Sequence, residues 1–381
     1  MILLLFVEYK LGALPIKFSK ALRLFYTILL LLGGLSYTLG QETQDTLQKR
    51  NRLFGVPIAF FAPETDWGFG AAGIYTFRLQ GESIQSNPSQ LQLGFAYTLN
   101  KQVLFYLPYQ VFKNEETLKI YGELGYYLYT YQFFGVGNDT KEADLEFYDV
   151  DFPRVRVNVL KQVYPNLFIG GRYWLDDFNI KKVVEGGLLD QENITGNQGG
   201  FLSGIGAVVN YDTRDNIFFP TKGLFAEVVG FHNGTFLGSD FNFSKLYLDI
   251  SNFWHFGEQV LATNFYGEFT NGEAPFNQLS LLGGPKRMRG FFEGRFRDNH
   301  FMSLQAEYRF PLFWKWLRGV AFVGVGEVAN KFSDFEIANF NYNYGAGLRI
   351  LVNQKEKVYI RLDAGFGEDT SGFYITIGEA F

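Results

Sequence analysis

The chain of 381 residues contains no Cys, only three His, 43 Phe, 23 Tyr and 43 Gly, and carries a formal net charge of -5. Without Cys there is no disulfide scaffold, thiolate metal site, Cys nucleophile or lipid-anchored Cys, and His232, His255 and His300 alone leave little for a His-based metal centre. An acidic balance offers no basic footprint for nucleic acid, and apolar mass carried by Phe beside abundant Gly argues against long amphipathic helices.

Residues 24–39 (LFYTILLLLGGLSYTL) are uncharged and apolar, preceded by Lys17, Lys20 and Arg23 and followed by Gly40. A membrane-spanning helix needs about 20 such residues, and the order basic, apolar, small matches a secretory signal peptide over residues 1–40. Residues 41–54 include the polar run QETQDTLQKRNR, which has no apolar periodicity, and are expected to form a short periplasmic tail. Residues 55–381 are expected to be one outer-membrane β-barrel domain.

That expectation rests on period-two patterning, the signature of strands. Sixteen alternating segments follow one another at 55–62, 66–80, 89–100, 102–113, 116–131, 146–163, 165–181, 199–213, 221–235, 240–256, 258–271, 299–310, 316–330, 340–353, 356–367 and 371–381. In FMSLQAEYRF, Met302, Leu304, Ala306, Tyr308 and Phe310 share one face, opposite Ser303, Gln305, Glu307 and Arg309. In KVYIRLDAGF, Val358, Ile360, Leu362, Ala364 and Phe366 oppose Tyr359, Arg361 and Asp363. The segments are longer than typical sandwich strands and even in number, which suits a transmembrane barrel with about 9–11 residues per crossing. Connection lengths largely segregate by parity, as short periplasmic turns and long external loops would; the exceptions are the short links near 63–65 and 101 and the 81–88 turn. The fold class is therefore all-β, a 16-stranded antiparallel transmembrane β-barrel, with outer-membrane lipid around it. Phe373, Ile375, Ile377 and the terminal Phe381 read as a C-terminal strand signal, with Glu379 interrupting that face near the interface.

Chemistry is sparse. No G-x-S-x-G elbow, H-E-x-x-H or P-loop occurs, no Ser accompanies the His residues in a recognisable motif, and no enzymatic activity, cofactor or metal is expected. The acidic run Asp139, Glu142, Asp144, Glu146, Asp149 and Asp151 lacks EF-hand spacing and reads as a solvated loop. On the inner face, Arg154, Arg156, Lys245, Arg349 and Arg361 against Asp249, Glu268, Glu307 and Asp363 predict internal ion pairs rather than an ion-selective pore.

Three motifs carry a resemblance. NYDTRDNIFFPTKGLFAEV (210–228) resembles the eighth strand, periplasmic turn and ninth strand of the BamA/TamA superfamily of outer-membrane assembly and translocation barrels, the bacterial surface antigen family; the turn residues concerned are Asp212, Arg214, Asp215, Pro220 and Gly223. LGGPKRMRGFFEGRF (282–296) is similar to that family's sixth external loop, with Arg289, Gly290 and Phe291 at the tip. The run from Ser303 to Val328, followed by GAGLRI, RLDAGFG and ITIGEAF, completes the family's order. The resemblance implies that Arg289 folds back into the lumen and locks there on Glu307, with Asp363 or Glu268 replacing a second carboxylate that is missing because FVGVG puts Gly324 at its position. It also implies a role in assembly, insertion or translocation of outer-membrane or surface components. With about fifteen residues ahead of the first strand, the chain is expected to lack the family's periplasmic POTRA repeats and to rely on an outer-membrane or periplasmic protein partner. A passive pore or structural barrel is the alternative.

Overall fold

The computed structural model describes residues 51–62, 66–83, 86–191, 193–354 and 356–381. The expected signal peptide and the tail as far as Arg50 lie outside them. Among the described residues there is no α-helix, and short 3-10 turns occur only in connections. The strands are β1 (Arg52–Ala62), β2 (Asp66–Phe77), β3 (Ser89–Thr98), β4 (Val103–Lys113), β5 (Leu118–Phe133), β6 (Glu146–Tyr164), β7 (Leu167–Lys182), β8 (Gly200–Asp212) and β9 (Gly223–Asn233). They continue with β10 (Phe243–Phe256), β11 (Gln259–Gly272), β12 (Ser280–Leu282), β13 (Phe296–Asp298), β14 (His300–Pro311), β15 (Leu317–Ala329), β16 (Asn341–Asn353), β17 (Val358–Gly367) and β18 (Thr370–Ile377).

All but β12 and β13 form one antiparallel sheet of 16 strands in which each strand pairs with its sequence neighbours, β11 passing to β14. The alternating segments of the sequence thus correspond one to one with the sheet strands. Two boundaries move. β1 starts at Arg52 rather than Gly55. β18 stops at Ile377, and Phe381 is not in a strand: Gly378, at φ 84°, turns the chain out of the ladder. The two-stranded β12–β13 ribbon lies inside the long β11–β14 connection and was not visible in the alternation, since three residues per strand are too few to show a period.

The faces sort as period two requires. On β14, Ser303, Gln305, Glu307 and Arg309 are buried whereas Leu304 and Tyr308 are exposed; on β15, Phe322 is buried between exposed Ala321 and Val323. An ordinary soluble protein buries its Val and Leu, so the inversion, with Arg inside and Val, Leu, Phe and Tyr outside, marks a wall that faces an apolar medium. The longest connections, 134–145, 183–199 and 273–299, lie at one end of the sheet, here the loop end, which also has the short 99–102 and 368–369 links; most short ones lie at the other, the turn end, where 78–88 and 213–222 are the exceptions. The interior is filled. Tyr127, Phe133, Tyr148, Phe152, Phe178 and Phe276 form one aromatic cluster with Leu189 of the β7–β8 loop, and Leu282, Met288, Phe291 and Phe296 of the β11–β14 connection form another with Tyr266, Phe301 and Val328. No ladder joins β1 to β18 among the described residues.

A 16-stranded wall whose backbone groups are mutually bonded should resist SDS until heated. An unboiled sample is expected to migrate faster on a gel than a boiled one; identical migration would contradict this architecture.

Candidate functional site

The alternation on β14, β16 and β17 aims Glu307, Arg309, Arg349, Arg361 and Asp363 into one region of the interior near the turn end. Arg349 and Arg361 stand directly opposite each other across the β16–β17 ladder, where like charges repel. Carboxylates resolve the repulsion. Asp363 Oδ1 accepts from Arg349 Nη1 at 2.6 Å, and its Oδ2 lies 3.5 Å from Arg361 Nε. Glu307 Oε1 accepts from Arg309 Nε at 2.7 Å.

Into this group descends the tip of the β11–β14 connection. Arg289 Nη1 donates to Asp363 Oδ2 at 2.6 Å, its Nη2 lies 2.8 Å from Glu307 Oε2, and its guanidinium sits 3.6 Å above the Phe322 ring. Arg289, Glu307 and Asp363 have no exposed side-chain surface. Asp363 is therefore a full partner of Arg289, not a substitute, while Glu268 is taken by Lys245. Gly324 faces inward as expected, but a Cβ there would collide with Asn343 Oδ1. The space of the missing carboxylate is occupied by an amide that works on the loop backbone instead: Asn343 Nδ2 donates to Arg289 O at 2.7 Å.

Further backbone contacts pin the loop. Gln305 Oε1 accepts from Met288 N and its Nε2 donates to Lys286 O; Tyr374 Oη accepts from Gly290 N at 2.8 Å; Arg361 Nη2 donates to Pro285 O at 2.9 Å. Each buried N–H or C=O satisfied in this way avoids a cost of about 1–3 kcal/mol. Gly290, at φ 115°, lies flat on β17: a Cβ on it would come within 2.8 Å of the Phe366 backbone, and one on Gly365 within 2.6 Å of the Arg289 carbonyl. Two glycines let two backbones touch. Phe291 packs 6.1 Å from Phe296 in the neighbouring apolar cluster.

The C-terminal residues join the same cluster. Glu379, expected near the interface, turns inward beyond Gly378 and accepts from Arg349 Nε at 2.7 Å. A carboxylate left on the outer face would lack these cations. Phe381 O accepts from Arg309 Nη2 at 3.2 Å, whereas Phe373 stays on the outer face of β18.

The β8–β9 turn reaches it too. Asp212 binds the Arg214 side chain at 2.9 and 2.7 Å. Asp215 accepts from the Thr221 hydroxyl and from the backbone N–H groups of Thr221 and Lys222. Burial alone would raise its carboxyl, but these donors hold it below the usual carboxylate range. Gly223, at φ 106°, would carry a Cβ into Thr213 O. The turn so built folds inward: Phe219 is buried 4.7 Å from the Tyr359 ring, and Pro220 O accepts from Arg309 Nη1 at 3.2 Å. Arg309 thus links the turn, the terminal residues and, through Glu307, the inserted loop.

Other candidate groups sit elsewhere. Arg154 and Arg156 both pair with Asp176, at 3.0 and 3.1 Å. Asp249 accepts from Asn264. The acidic run is dispersed: Asp151 pairs with Lys181, Asp149 accepts from Thr130, and Glu146 accepts from Leu188 N. His232 does meet a serine, with Nδ1 2.9 Å from Ser244 Oγ on the outer face and the ring stacked on Phe236, but no carboxylate is hydrogen-bonded to it among the described residues.

Residues 83–381 match the Omp85 superfamily domain. The chain belongs to the Omp85 superfamily. Its fold is that of an Omp85 barrel, similar to BamA from Haemophilus ducreyi lacking POTRA domains 1-3 (TM-score 0.54, 15% identity, 87% of this chain and 70% of that one). It is also similar to CdiB from Acinetobacter baumannii (0.55, 13%, 86% and 60%) and CdiB from Escherichia coli (0.58, 12%, 87% and 62%). The chain spans about three fifths of the length of the two CdiB structures. No curated protein sequence matches it. In this Omp85 chain, the contributions of Gln305, Asn343, Tyr374 and Glu379 were not foreseen; the first three bear amides or a phenol that hold backbone, for which no sequence signal exists.

Removing one member of a buried ion pair typically costs about 3–5 kcal/mol. Arg289→Ala and Asp363→Ala are each expected to destabilise the folded barrel by that order in urea titration, and the double variant by much less than their sum. Additive losses would show that the two groups do not interact. Gly365→Ala should expose the 285–291 segment to protease without removing any charge; unchanged protection would contradict the close backbone approach.

Proposed function

We propose that this Omp85 barrel resides in the bacterial outer membrane and inserts or translocates protein components there, working with a protein partner on the periplasmic side and without chemical catalysis. The observation that carries the reading is the inserted loop. A diffusion pore needs an open lumen, whereas here the β11–β14 loop, the β8–β9 turn and the terminal residues fill it around one buried Arg–carboxylate cluster. Ion pairs on the remaining inner wall, such as Arg172 with Glu227 and Arg154 with Asp176, leave few free charges to select ions. The similar structures are named BamA and CdiB, consistent with a barrel that acts on other polypeptides. On this reading the signal peptide over residues 1–40 directs export, and the turn end, which carries the short connections, faces the periplasm.

The edges of β1 and β18, unpaired among the described residues, fit a seam at which a client could be handled. Pro57 adds to this, because it cannot donate to the ladder it shares with Ala71. Depletion of the protein in its native host, followed by quantitative proteomics of isolated outer membranes, is expected to show the selective loss of one or more other outer-membrane or surface proteins. An outer-membrane proteome that changes only in this chain would overturn the reading in favour of a structural barrel.

A further inference from the structure

The β3–β4 hairpin is lower than its neighbours at the loop end. The β4–β5 ladder stops at the pair Val103 and Leu128, and beyond it β5 continues to Phe133 paired only with β6. This step leaves a recess of about 660 Å³. Its wall residues Leu128, Thr130, Phe147, Asp149 and Lys181 alternate with the buried Tyr127, Tyr148, Val150 and Phe178, so the recess opens on the outer face of the sheet.

Its lining is divided. Leu99, Leu128 and Phe147 form an apolar floor continuous with the exposed belt of Phe95, Tyr97, Phe105 and Tyr126. Beyond the floor stand two ammonium groups, Lys101 at the hairpin tip and Lys181 on β7. Asp151 lies 3.0 Å from Lys181, which keeps further donor capacity, and Asp149, also in the lining, accepts from the Thr130 hydroxyl at 2.6 Å and keeps its negative charge. Lys101 has no carboxylate within ion-pair distance among the described residues. Cations at the upper edge of an apolar belt, above a floor that can receive hydrocarbon, complement one kind of molecule.

We propose that the recess binds the headgroup of a phosphate-bearing lipid, with the phosphate between Lys101 and Lys181 and an acyl chain over Leu99, Leu128 and Phe147. This rests on the membrane-embedded reading given above. It differs from general lipid contact around the belt, because the charges and the step occur together at one place.

The test uses the full chain purified in detergent and native mass spectrometry with four added lipids: phosphatidylglycerol, phosphatidylethanolamine, a phosphorylated glycolipid and an uncharged diacylglycerol. Retention of phosphate-bearing lipids over diacylglycerol is expected, with the best-retained of the three identifying the source. The Lys101→Glu, Lys181→Glu double variant should lower that retention roughly tenfold. Heat-dependent gel migration checks that the variant folds, and if it does not, the Lys101→Gln, Lys181→Gln pair is expected to give a smaller loss in the same direction. Equal retention by wild type and the folded variant, or diacylglycerol held as well as the phosphate-bearing lipids, would overturn the proposal. Failure of the membrane-embedded reading would show separately, as wild-type protein that does not sediment with outer membranes.

Discussion

The structure depends on a group of guanidinium and carboxylate side chains withdrawn from water inside a sheet. Arg289, Arg309, Arg349 and Arg361 meet Glu307, Asp363 and Glu379, all at least 98% buried at the side chain. Desolvating such groups is expensive, and attraction offsets the cost only when geometry is good and remaining donors find acceptors. The geometry is close, with contacts of 2.6–2.8 Å between several of these groups, and Pro220, Pro285 and Phe381 carbonyls accept further N–H groups, whereas Arg289 Nε, Arg361 Nη1 and Glu379 Oε1 are buried without a hydrogen-bond partner among the described residues. A hydrophobic core of equal volume would supply comparable cohesion. What the charges add is position, because a guanidinium fork accepts few alternative partners.

Position is what the rest of the architecture needs. The β11–β14 loop approaches from the loop end and the β8–β9 turn from the turn end, and neither has a partner strand in the large sheet to fix it. Arg289 fixes the loop on Glu307 of β14 and Asp363 of β17, and Arg309 of β14, itself paired with Glu307, holds the turn through the Pro220 carbonyl. Asp363 is central because it touches Arg289, Arg349 and Arg361 together. The loop tip then rests on β17 and contacts Tyr374 of β18, next to the unpaired edge of the sheet. A shift of the loop is therefore coupled mechanically to the last two strands, where no ladder joins β18 to β1 among the described residues.

Much of this was legible in the sequence. Sixteen strands could be read because lipid-facing and interior residues alternate strictly and most strands exceed ten residues, so that even Glu307 and Asp363 were placed on the correct face. The Arg289 lock came from resemblance and not from periodicity, and only one of its two carboxylates was given its full weight. Glu379 was misplaced for a physical reason: alternation extrapolated through Gly378 assumes a strand, whereas a left-handed glycine rotates the following residues inward. Asn343, Gln305 and Tyr374 escaped altogether, since the need for a polar side chain to hold loop backbone is created only when the loop is inside. The recess beside β5 is likewise a difference in height between hairpins, which no single strand pattern contains.

The central claim is that the Arg289 cluster keeps the lumen closed by holding the loop within it. Single-channel recording of the full chain in planar bilayers tests it most directly. Wild type should be closed with only brief openings, and the Arg289→Ala, Asp363→Ala double variant should show large, frequent ones. Large steady openings in wild type, unchanged in the variant, would contradict the account.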